Sequence, residues 1–99
     1  MKTIITAIAF TLATTAAQAS PLSDFCYNLA DLTETAAEAR DGGISRTETK
    51  TIMVESGFGE LLGLVLDLVD AAYDNPWDTP AELMVDTYQT CMVTLSTSV

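Results

Sequence analysis

The chain has no histidine, and its lysines and arginines number only 4 against 14 aspartates and glutamates. Without histidine it lacks the commonest general base and the commonest metal ligand. With so few cations there is no basic face to hold phosphates, which excludes nucleic acid as a partner. The same charge disfavours anionic membrane surfaces. There are only 2 cysteines, at positions 26 and 91. They are too few for a thiolate metal cage and too far apart for the C-x-x-C spacing of a redox motif. No G-x-S-x-G elbow and no phosphate-binding loop occurs. Beyond Lys2 the single lysine is Lys50. These absences argue against an enzyme, and they call for no cofactor and no metal.

The one uncharged apolar run lies at the start. Lys2 precedes "TIITAIAFTLAT", and "AQA" at 17 to 19 puts small residues before Ser20. That order reads as a secretory signal peptide over residues 1–19, with an uncleaved anchor as the alternative. The run is short for a membrane span, which needs about 20 apolar residues. No cysteine follows the small residues, so a lipid anchor at that site is not expected. No stable membrane insertion is expected after cleavage. "FGELLGLVLDLV" is greasy too, but Glu60 and Asp67 interrupt it.

What remains, residues 20–99, is a single small domain. It keeps 3 basic side chains, Arg40, Arg46 and Lys50, against 14 acidic ones, a formal charge of −11. Such a charge steers cationic partners toward the protein, and it also serves solubility alone. A domain of this size buries only about 60% of its unfolded surface, so a covalent staple helps it. Export leads to an oxidising compartment, periplasmic or extracellular, where disulfides persist. The expected staple is Cys26–Cys91, worth about 4 kcal/mol in the chain-entropy model.

Apolar spacing predicts an all-α domain of four helices arranged as two helical hairpins, 22–55 and 58–95. The first helix is expected over about 23–40, capped by Ser23 with Pro21 just outside and ended by "DGG". Either Gly42 or Gly43 suits its left-handed cap. The second runs over about 46–55, with Ser45 and Glu48 as a capping box. "ESGFG" breaks the chain. The third, about 58–74, offers Phe58, Leu61, Leu62, Val65, Leu68, Val69, Ala72 and Tyr73 as a broad apolar face, widened by Leu64 and Leu66. A close helix crossing would account for Gly63 within it. "TPAE" starts the fourth helix, with Thr79, Pro80 and Glu82 in capping positions. Ala81, Met84, Val85, Tyr88, Cys91, Met92 and Leu95 make its expected inner face.

Three constellations bear on function. "RDGGISRTE" places Asp41, Gly42 and Glu48 as half of a calcium loop. Ala37 and Ala39 then fall where two carboxylates belong, so a capped turn accounts for the segment. Glu60, Asp67 and Asp74 form a carboxylate stripe. It is either a solvated outer face or a surface for a basic partner. Trp77, in "DNPWDTP", is the only tryptophan. It either folds back over the core or stands exposed as a partner anchor, with Tyr73 beside it and Pro76 and Pro80 stiffening the loop.

Cys26, "EARDGGIS", Tyr73, "NPWDTP" and Cys91 occur here in an order that resembles a loosely defined group of small exported bacterial two-cysteine helical proteins. The resemblance implies an all-helical periplasmic or secreted protein and no mechanism. A more distant likeness is to the periplasmic acid-stress chaperones, helical proteins with one long-range disulfide. Those are rich in lysine, and this chain is not. The residues therefore point to a non-catalytic protein-binding or inhibitor module with an acidic surface, drawn to a cationic protein partner. The alternatives are an acid-stress chaperone and an accessory structural subunit of an envelope complex, the latter motivated by Leu64 and Leu66. Trp77, Tyr73, Glu60, Asp67 and Asp74 are the candidate contact residues.

Overall fold

The computed structural model describes residues 21–98. The leader reading of residues 1–19 falls outside them. Four α-helices follow one another, with no strand among the described residues: α1 (Pro21–Asp41), α2 (Arg46–Glu55), α3 (Leu62–Asp74) and α4 (Pro80–Ser98). A 3-10 turn, Gly59–Leu61, leads into α3. The third helix is therefore regular only from Leu62 rather than from 58. The two hairpins pack mainly across each other. α1 lies along α4 and α3, α2 rests on α3, and α3 and α4 hardly touch.

α1 already includes Pro21 and Ser23, ahead of the start that its spacing suggests. Ser23 is therefore inside the helix and not its cap, and its hydroxyl bonds the Tyr88 hydroxyl at 2.8 Å. The buried face is Cys26, Leu29, Ala30, Thr33, Ala36 and Ala37, spaced as one helical stripe. Three of these six are alanines, which let neighbouring helices approach closely. α1 ends in a Schellman turn. Ile44 N–H donates to Ala39 O at 2.9 Å and Gly43 N–H to Arg40 O at 3.1 Å. Gly43 takes φ 90°, the left-handed conformation that favours glycine at this position.

The N-terminal caps of α2 and α4 follow the sequence signals. Ser45 Oγ accepts from Glu48 N–H at 3.1 Å. Thr79 Oγ1 accepts from Glu82 N–H at 3.1 Å, and Glu82 Oε1 accepts from Thr79 N–H at 2.9 Å. That second pair is a complete capping box. The Thr79 bonds hold the Glu82 carboxyl below its ordinary pKa.

The core joins Ala36, Ala37, Met53, Val65, Val69, Ala72 and Leu83, with Leu32, Phe58, Leu66 and Tyr73 packed against it. Leu83 is the α4 residue in that cluster, although it was absent from the expected inner face. Ala81 and Val85, which were included, are exposed. The difference has a physical cause. α4 meets α1 partly through threonine hydroxyls, which hydropathy does not flag. Thr87 Oγ1 donates to Thr33 Oγ1 at 3.1 Å, and Thr33 donates to Leu29 O at 3.1 Å. Cys26 and Cys91 are disulfide-bonded with Cα atoms 5.6 Å apart. Gly63 has no atom within 4 Å of where a Cβ would stand, so no close helix crossing explains it.

Candidate functional site

Because α3 and α4 stand apart, a groove runs between them with α1 as its floor. It encloses about 600 Å³, within the size range of ligand and peptide sites. Phe25 and Leu29 of α1 form the floor. Leu64, Leu68 and Ala71, continued by Asn75 just past the helix end, form the α3 wall, and Leu83, Thr87, Thr90, Cys91, Thr94 and Leu95 the α4 wall. On α3 the spacing is i, i+4, i+7, i+11, one stripe beside the core-facing stripe of Val65, Val69 and Ala72. The stripe runs for about 17 Å at 1.5 Å per residue. Leu64 is 39% exposed in the groove wall.

At one end, the α3–α4 loop supplies Asn75 and Asp78 to the groove lining. Trp77 lies between them and is 80% exposed. The indole does not fold back over the core. The loop that carries it is held from beneath by Arg40. The Arg40 guanidinium donates from Nη1 to Ala72 O at 2.7 Å and to Asn75 O at 2.9 Å, and from Nη2 to Asp78 O at 2.7 Å. Asp78 N–H closes the turn onto Asn75 O at 3.1 Å. Asn75 Nδ2 ties back to Ala71 O at 2.7 Å. The tryptophan is thus presented on a loop whose carbonyls are fixed on both sides of it.

The other sequence candidates separate into two groups. Tyr73 and Asp74 serve the fold. Tyr73 Oη donates to Ile44 O at 2.6 Å and accepts from Thr49 Oγ1 at 2.8 Å, and Arg46 stacks over its ring at 5.8 Å. Asp74 pairs with Arg46 at 2.6 Å. Asp67 and Glu60 are exposed. Asp67 follows Leu64 by three and precedes Ala71 by four, so it borders the groove stripe along α3's outer edge. On α4, Asp86 lines the groove directly.

The basic residues explain the charge of the surface. Arg46 bonds Asp70 at 3.1 Å as well as Asp74, and Lys50 bonds Asp70 at 2.7 Å. Lys50, with help from Arg46, holds the Asp70 carboxyl below its usual range. Asp74 and Asp70 in turn raise the Arg46 guanidinium above its own. Among the described residues each of the three cations is therefore engaged inside the molecule. The groove rim offers carboxylates and no competing positive charge. No group of three or more metal-ligating side chains gathers among the described residues. Asp41 pairs with Arg40 at 2.9 Å.

Sequence reasoning singled out Trp77 and Asp67 as contact residues, and gave Leu64 and Leu68 only as part of the apolar face of α3. It missed Arg40, whose partners lie 32 to 38 residues away in the chain. It also missed Thr87, Thr90 and Thr94, which read as polar surface. No protein-family model, curated protein or solved structure matches this chain.

Proposed function

We propose that this chain is an exported, non-catalytic module that binds a protein partner, docking it in the α3–α4 groove with Trp77 as an anchor at the groove's end. The observation that carries this reading is the exposed indole on a loop clamped by Arg40, beside an open apolar groove. Exposed tryptophans on pre-ordered segments are typical binding hot spots, because little freedom is lost when they engage. Export is supported by the disulfide, which persists in oxidising compartments. No helix among the described residues is long and apolar enough to cross a membrane.

The test is capture from cell-envelope and culture-medium extracts with the oxidised chain lacking residues 1–19. Wild type is compared with Trp77→Ala and with Leu64→Glu, which places a charge in the groove wall at a half-open position. The reading predicts a stoichiometric partner on the wild type that is lost from both variants. Equal recovery on all three would overturn it.

A further inference from the structure

The protein-binding reading leaves open what kind of segment fits the groove. Resting on that reading, we infer that the occupant is a cationic amphipathic helix of about three turns. Three observations lead there.

The first is shape. Both walls and the floor are helices, so an occupant of the groove packs against three helical surfaces. A segment that docks as an added strand gains its affinity from the open edge of a sheet. There is no strand among the described residues to offer one. A helix instead inserts side chains at i, i+3, i+4 and i+7 into the spaces between wall residues.

The second is the distribution of polarity. The groove centre is apolar through Phe25, Leu29, Leu64 and Leu68, whereas Asp86 and Asp78 line its margin. Asp67 borders the opposite wall. A matching helix carries an apolar stripe flanked on both sides by lysine or arginine.

The third disfavours a second copy of this chain. Such a copy would bring a net −10 toward a net −10. Among the described residues its cations, Arg40, Arg46 and Lys50, are all committed within the molecule.

The experiment uses synthetic helical peptides and the oxidised chain lacking residues 1–19. One peptide has a leucine stripe flanked by lysines. A second has the same stripe flanked by glutamates. A third has the lysine peptide's composition with the stripe scrambled. Dodecyltrimethylammonium below its micelle concentration stands in for a simple cationic amphiphile. Binding is read by amide chemical-shift changes mapped on the chain, and peptide helicity by circular dichroism.

The lysine-flanked peptide is expected to shift the amides of Leu64, Leu68, Thr90 and Thr94 and to become helical. It is expected to bind about tenfold more tightly than the other two peptides at low salt. That preference over the glutamate peptide should largely vanish near 1 M salt, where the screening length is about 3 Å. Asp67→Asn with Asp86→Asn should narrow it as well. Four results overturn the inference: equal binding of lysine and glutamate peptides, shifts confined to other surfaces, tighter binding of the amphiphile than of any peptide, or a concentration-dependent dimer that shifts the groove amides. Leu64→Glu separates this failure from that of the broader reading. If the variant still loses the captured partner, only the helix assignment falls. If it keeps the partner, protein docking in the groove falls too.

Discussion

At the scale of single residues, Arg40 shapes the site from below. Its side chain is only 9% exposed, and it satisfies the carbonyls of Ala72, Asn75 and Asp78 at once. A lysine has no planar fork and cannot reach all three. Arg40→Lys should therefore lower stability by about 1–3 kcal/mol in urea unfolding. It should also depolarise Trp77 fluorescence through greater loop motion, whereas an unchanged anisotropy would contradict the clamp. Sequence reading counted Arg40 only as a charge, since no local signal marks an arginine whose partners are distant backbone oxygens. Tyr73 was legible as important but not as what it is, a tether for the α1–α2 turn. Whether Trp77 covers the core was not legible in the sequence, and the fold leaves it exposed. Gly63 carries a further expectation. With open space around it, Gly63→Ala should raise stability by about 0.4–1 kcal/mol in the same assay.

At the scale of elements, α2 is the helix with the weakest intrinsic propensity, and it is held to α3 by charge and hydroxyl contacts. Thr47, Thr49 and Thr51 are poor helix formers, yet α2 spans the expected residues. Ser45 caps it, Met53 is buried, and Arg46 and Lys50 reach Asp70 and Asp74. The lowered pKa of Asp70 fixes the sign of its pH dependence. Its folded-state value lies below its unfolded one, so its stabilisation is full above the unfolded value of about 4. It is lost as pH falls through the folded value. Asp70→Asn should therefore destabilise the chain at pH 7, by a margin that shrinks as pH falls below about 4, measured by urea unfolding at each pH. A gap that persists undiminished at low pH would contradict the linkage. The caps were readable because their signals are local. The threonine part of the α4 face was not legible, because hydropathy ranks threonine as surface. Here Thr33 and Thr87 bond each other between helices.

At the scale of the whole molecule, a core rich in alanine is closed by one disulfide between the first and last helices. Cys26 is fully buried. Replacing both cysteines by alanine should cost about 4 kcal/mol, a large share of a small domain's total of about 5–15 kcal/mol. Urea unfolding of the oxidised and double-alanine chains would measure it. The fold class and the bridge were legible because helical period and cysteine count constrain them strongly. The groove was not, because it arises from α3 and α4 failing to pack together, and a periodic pattern gives no sign of which neighbours stay apart. The most direct test of the groove as a docking site is photo-crosslinking in the producing cells. A photoreactive amino acid would replace either Leu64, in the groove wall, or Val54, exposed on α2. The groove reading predicts a discrete higher-mass adduct from position 64 and none from position 54. An adduct from position 54 alone, or from neither position, would contradict it.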